Sequence, residues 1–270
     1  MMVSPISGST CSEVSSDAVS RKASVAVRRL MILGIFLCTA ALAQSRDGKL
    51  IIAIDPGHGG VESSGRMADR TLSSANNART PSGILEKTLT LELSKEIAGA
   101  LEVLAKESRR SVEVRLTRES DENPDFAERA KRCLGGGQPP AAIVSIHFNA
   151  SDSHNAKGSL GMVAAADRNP NFERDKEFAN RLAKAAARGI AGFVPGSFAR
   201  SVIADSHLHG GKGSNFFYQI NKTPELRSIP ACFLEVEFID RTDVEDGLIR
   251  CRSTTFPAIA REIARELLDR

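Results

Sequence analysis

The amino-acid sequence predicts an α/β domain whose sheet is largely covered by helices. Short apolar runs alternate with amphipathic helical stretches along the chain, the order from which such layers are built. Two of the runs, Leu50 to Ile54 and Ala141 to Ile146, lack polar alternation, as strands buried on both faces do. The 270 residues are 41% hydrophobic and 26% charged, enough for one ordinary core and one domain.

In chain order, the first feature is LMILGIFLCTAALA, residues 30 to 43, which follows Arg28-Arg29. A basic start, an apolar centre and the small-residue end Ala41-Leu42-Ala43 read as a secretion signal cut before Gln44. The organisation expected is therefore a signal peptide over residues 1–43 and one domain over 44–270. Fourteen apolar residues are few for a bilayer span, so no stable membrane anchor is expected after cleavage. Arg28-Arg29-Leu30-Met31-Ile32 is loosely similar to the twin-arginine export signal. Leu37 precedes Cys38 where a lipoprotein signal has a small residue, which argues against a lipid anchor.

The first strand, Leu50 to Ile54, ends at Asp55-Pro56-Gly57 and delivers His58 into a glycine-lined turn. The polar stretch from Glu62 to Ser82 reads as a long surface loop, of a length that usually serves a site. Leu89, Leu93, Ile97, Leu101 and Leu104 mark an amphipathic helix beginning near Glu86-Lys87. Val112, Val114 and Leu116 alternate with polar residues as a half-buried strand. Asn123 to Leu134 is a short helix stopped by Gly135-Gly136-Gly137. Ala141 to Ile146 and Gly161 to Ala166 are strands, and Phe178, Leu182, Ala186 and Ile190 mark a further helix. Gly192 to Ser214 is glycine-rich and is expected to wall one side of a cleft. Phe216 to Ile220 and Ala231 to Ile239 read as strands. A last helix carries Ile259, Ile263 and Leu267, with Ser253 to Thr255 as caps and Pro257 in its first turn.

Charge and cysteine content narrow the function classes. Residues 1 to 43 hold four basic and two acidic residues, so the remainder is close to neutral, and neither nucleic acid nor an anionic membrane is called for. Cys133, Cys232 and Cys251 remain after the signal, without a CxxC pair. At most one bridge is open to them, with Cys133 and Cys251 favoured because Cys232 reads as strand core.

Chemistry-bearing residues gather where strands end, the place where open α/β sheets hold ligands. His147 follows the strand AAIVSI, and Glu86 opens the first long helix beside the exit of the first strand. Two histidines and a carboxylate are ligand types that zinc accepts with a position left for water. Each also has an ordinary reading, Glu86 as a helix-start carboxylate and His147 as a core histidine bonded to a carbonyl. In ACFLEVEFID, Glu235 and Glu237 share one strand face with Phe233. A carboxylate in so apolar a strand is costly unless paired or functional, and Glu235 reads either as a general base or as an edge-strand glutamate. His207-Leu208-His209 is a further candidate ligand pair, amid glycines.

The ordered blocks DPGHGG, EKTLTLELSKEIAGAL, VRLTRESD, AERAKRC, SIHFNAS and PACFLEVEFI resemble the zinc-dependent N-acetylmuramoyl-L-alanine amidases of type 3, bacterial cell-wall hydrolases. The resemblance runs from about Leu50 to Leu268. It implies a twisted, mainly parallel sheet of about six strands flanked by helices, one Zn²⁺ per chain held by His58, Glu86 and His147, and Glu235 as the catalytic glutamate. It also implies hydrolysis of the amide between N-acetylmuramic acid and L-alanine in peptidoglycan, in the periplasm or cell envelope, by a chain expected to be monomeric. A zinc peptidase acting on the stem peptide and a non-catalytic wall-binding protein are the alternatives. Glu237 stands where the family usually has glycine, and the interval between His58 and Glu86 is longer than in compact members.

Overall fold

A computed structural model of the chain describes residues 48–269. The expected signal segment, residues 1–43, lies outside them. The elements in order are β1 (Leu50–Pro56), α1 (Glu86–Glu107), β2 (Val112–Leu116), α2 (Phe126–Leu134), β3 (Ala142–Asn149), β4 (Leu160–Val163), α3 (Phe172–Ile190) and β5 (Ile203–Ala204). A short 3₁₀ segment (Asp205–Gly211) leads to α4 (Asn215–Lys222) and β6 (Ala231–Phe238). The single turn α5 (Thr242–Val244), a π turn (Glu245–Ile249) and α6 (Arg252–Leu268) complete the fold.

The six strands form one sheet in the order β2-β1-β3-β6-β4-β5. Every neighbouring pair is parallel except β4 and β6, so the sheet is mainly parallel, as expected. Successive side chains alternate between faces, and the core divides accordingly. Ile52, Ile54, Val144, Ile146, Cys232 and Leu234 pack under the long helices α1, α3 and α6. Ala53, Ile143 and Phe233 face the smaller α2 and α4, with Phe216, Phe217 and Cys133. That second face carries the polar ends Asp55, Ser145, His147 and Glu235, because each lies an even number of residues beyond Ala53, Ile143 or Phe233. Among the described residues, no helix is long and apolar enough to cross a membrane.

Several local expectations change. Phe216 to Ile220 is helix, not strand: Ser214 caps α4 by accepting from Phe216 N–H, and the aromatic run buries one helical face. The fifth strand is instead the two-residue β5. Helix α6 begins at Arg252 with Cys251 at its N-cap position, so Ser253 to Thr255 are inside it and Pro257 lies beyond the first turn. The Thr255 hydroxyl donates to Leu248 O, 2.7 Å away, rather than capping the helix. Cys133 and Cys251 are free thiols, the first buried and the second exposed, and Cys232 is buried in the core. No Cys133–Cys251 bridge forms. Helix α2 matches closely, with Asp125 accepting from Glu128 N–H at its start and Gly135 in the left-handed conformation at its end.

Candidate active site

The site begins with the turn after β1, and the turn is held by two arginines. Arg118 Nε donates to Pro56 O (3.0 Å) and its Nη2 to Gly57 O (2.9 Å), while Arg129 Nη2 donates to His58 O (2.8 Å). Both arginines are buried. Arg129 also pairs with buried Asp55 at 2.7 Å. Burial pushes the Asp55 carboxyl upward, but the Arg129 charge and hydrogen bonds from Ser145, Thr117 and Arg129 outweigh it and hold it below the usual range. His58 sits at φ 60°, a left-handed conformation uncommon for a residue with a side chain, and the Arg129 bond to its carbonyl braces it. Two glycines are dictated by space: a Cβ on Gly57 would lie 2.4 Å from His147 Cε1, and one on Gly59 would lie 1.9 Å from Glu122 O.

Glu86 enters at the N-terminus of α1, where the helix dipole favours a carboxylate. The helix is tied to the turn, since Thr90 donates its hydroxyl to Gly57 O at 2.7 Å. Glu86 Oε2 accepts from Ala78 N–H (2.9 Å), and Oε1 accepts from Phe148 N–H (3.2 Å). Oε1 also lies 3.2 Å from His58 Nε2 and 3.0 Å from His147 Nδ1. Burial pushes the Glu86 carboxyl upward. The charge of His58 when protonated, and then the adjoining His147, prevail and hold it well below the usual carboxylate range.

The surroundings of both histidines accommodate a neutral tautomer with its lone pair turned inward. His58 Nδ1 lies 3.0 Å from both Ser74 O and the Ser74 hydroxyl, and a neutral His58 that donates from Nδ1 to the carbonyl presents a lone pair at Nε2. His58 Nε2 is buried without a hydrogen-bond partner. The Ser145 hydroxyl donates its single proton to Asp55 Oδ2 at 2.6 Å, so toward His147 Nε2, 3.1 Å away, it accepts. In neutral His147 that puts the proton on Nε2 and turns the Nδ1 lone pair toward Glu86. Three electron-pair donors from His58, Glu86 and His147 thus face one another within 4.8 Å, all on buried residues. Such a set is complementary to a cation, and neutral imidazoles oriented by a hydrogen bond on the other ring nitrogen are the form that binds metal.

Glu235 is beside this group because β3 and β6 pair His147 directly with Glu235. Its Oε2 is buried with no partner. Burial raises the carboxyl to about 7; the nearby His147 opposes the rise and the Glu86 charge adds to it. Glu237 goes elsewhere. A bulge shifts the register between His147 and Asn149, and Glu237 accepts from Gly158 N–H (2.6 Å), Phe238 N–H (2.9 Å) and the Ser197 hydroxyl. The expected sharing of one face by the two glutamates is therefore not what the strand does.

His58, His147 and Glu235 open on a cavity of ≈ 340 Å³ lined on one side by Leu72, Ser74 and Asn77 of the long β1–α1 loop. Leu208, His209 and Ser214 of the glycine-rich segment line it as well, so both segments flank the cleft. His207 and His209 lie in the 3₁₀ segment rather than on a strand, and the metal-competent group among the described residues does not include them. Sequence reasoning assigned no role to Asp55, Ser145, Arg118 or Arg129. A signal existed for Arg129, which occupies the buried face of α2 with Ala130 and Cys133, where an unpaired charge would be costly.

The same fold occurs in solved amidases. The chain is similar to the N-acetylmuramoyl-L-alanine amidase AmiC2 of Nostoc punctiforme, with 24% identity, a TM-score of 0.55, and coverage of 82% of this chain and 97% of that one. An N-acetylmuramoyl-L-alanine amidase from Clostridium difficile 630 aligns at 19% identity and a TM-score of 0.56, covering 82% and 96%. Ami1 from Mycobacterium smegmatis aligns at 18% identity and 0.53, covering 82% and 98%. These likenesses are of fold. Among curated proteins none matches the sequence. The family model for N-acetylmuramoyl-L-alanine amidases matches residues 52–266, nearly all of the described domain, and the chain belongs to that family.

Proposed function

We propose that this amidase cleaves the bond between the lactyl group of N-acetylmuramic acid and L-alanine of the stem peptide, using one zinc ion held by His58, Glu86 and His147. The convergence of three buried ligand-type atoms, from His58, Glu86 and His147, within 4.8 Å of one another carries this reading. A zinc ion there supplies Lewis acidity, drawing charge from an amide carbonyl and making a water acidic enough to ionise near neutral pH. The chain's own residues do the rest. Glu235 Oε2 accepts the proton of the attacking water and returns it to the departing alanine nitrogen. Asp55 and Ser145 keep the His147 proton on Nε2, and Ser74 keeps that of His58 on Nδ1.

Residues 1–43 act in this reading as a secretion signal, and the monomeric enzyme works on peptidoglycan in the cell envelope during wall remodelling or daughter-cell separation. Incubating the purified mature chain with sacculi, with and without a chelator, tests the proposal. Intact stems bearing an N-terminal alanine should appear only in the unchelated sample. Stems cut internally would indicate a peptidase, and release that ignores the chelator would rule out the metal.

A further inference from the structure

A second cavity of ≈ 380 Å³ adjoins the catalytic one, the two sharing Ser214 as a wall. Arg70, Arg168, Lys212 and Lys222 bring four cationic side chains to it, and Phe217 and Tyr218 contribute an aromatic side. Among the described residues, Asp205 is the only carboxylate lining it, and that group is already engaged. It accepts from Ala165 N–H (2.9 Å), Ser214 N–H (2.7 Å) and Arg168 Nη2 (3.1 Å). Among the described residues, no carboxylate lies within ion-pair distance of Arg70, Lys212 or Lys222.

Arg70 is built into place rather than left to swing. It comes from the long β1–α1 loop at φ 56° and lies over the Tyr218 ring, 4.4 Å from its centroid. It donates to Gly213 O (2.8 Å), Ser214 O (3.1 Å) and Asn215 Oδ1 (3.2 Å). Asn215 also lines the catalytic cavity, so the guanidinium is braced on the partition between the two cavities. Burial holds the Arg70 guanidinium below the usual arginine range; Tyr218 and Asp205 oppose this and the neighbouring Arg168 charge adds to it. A cluster of like charges facing one cavity is relieved by an anion.

We infer that this cavity is a subsite for a carboxylate of the peptide stem, engaged by Arg70, Arg168, Lys212 and Lys222 while the scissile amide lies at Glu235. The inference rests on the amidase reading above: the leaving half of that substrate is a peptide, and it enters a cleft whose adjoining wall is cationic. A carboxylate is matched by guanidinium and ammonium donors, and charge-assisted bonds are the strong ones.

Three soluble muropeptides distinguish the possible carboxylates: one with every stem carboxyl free, one amidated at the terminal carboxyl, and one amidated at an internal carboxyl. The wild-type chain with zinc should lose about tenfold in kcat/KM with one of the two amidated substrates, the loss of a charge-assisted bond. In the Lys212→Ala/Lys222→Ala double variant, and separately in Arg70→Gln, the ratio of acid to amidated kcat/KM should fall toward one. A general loss of folding or of catalysis would not move that ratio. Equal kcat/KM for all three substrates in the wild type, or variants that keep its ratio, overturn the subsite alone. Failure to hydrolyse any of the three overturns the amidase reading and the subsite with it.

Discussion

Glu235 and Glu237 are two positions apart on an apolar strand, yet the fold gives them opposite fates. Glu237 is surrounded by donors that compensate its burial, whereas Glu235 Oε2 has none. Alternation along the strand placed both on one face, and the bulge that separates them was not legible because it arises from pairing with β3. The unpaired carboxyl should make Glu235→Gln a revealing substitution. Hydrolysis should fall by about 10²–10⁴-fold while zinc content is retained; Glu86→Ala, which removes one of the three donors, should instead lose the metal. In the metal-free wild type, Glu235 is protonated in both folded and unfolded chains below pH 4.5, so it then has little effect on stability. As pH rises from 4.5 to about 7, the unfolded chain sheds its proton first, and the native state loses stability. Denaturant midpoints should therefore coincide for metal-free wild type and Glu235→Gln near pH 4, and the variant should be more stable by on the order of 2–3 kcal/mol near pH 8. Retained hydrolysis in Glu235→Gln, with loss in Glu237→Gln, would reverse the assignment of the two.

At the scale of elements, the junction of β1 with α1 and α2 decides whether the donors meet. The apolar run and its DPGHGG end were legible in the sequence, but the clamp that shapes the turn was not, because Arg118 and Arg129 lie after β2 and on α2, far along the chain. Arg129→Met should leave Asp55 buried without its ion partner and cost about 3–5 kcal/mol in a denaturant titration. It should also weaken zinc binding, because the His58 carbonyl loses its brace. A variant as stable as wild type, with undiminished zinc affinity, would show the clamp to be incidental. The misreading of α4 as a strand has a simple cause. A short stretch such as Phe216 to Ile220, apolar or aromatic but for Gln219, fits either a strand or one face of a short helix, and the Ser214 cap that settles it needs the backbone conformation to be recognised.

At the scale of the molecule, the two hydrophobic clusters lie on opposite faces of the sheet, and both stand without the donor group as part of their packing. Chelation should therefore lower Tm without unfolding the chain at 25 °C, and saturating zinc should restore about 4 kcal/mol at a thousandfold excess over Kd. Thermal melts followed by circular dichroism check this, and loss of helical signal on chelation at 25 °C would show that the site holds the fold together. The order of layers, most strand and helix positions, and the histidines at strand ends were determined by the sequence itself, because periodicity and strand termini are written in consecutive residues. Tertiary structure alone decided which nitrogen of each histidine faces inward, how residues 28 and 61 positions apart share one centre, where Glu237 turns, and that Arg70 joins Arg168 across the chain. Those outcomes depend on hydrogen-bond partners and charges that meet only after the strands have paired.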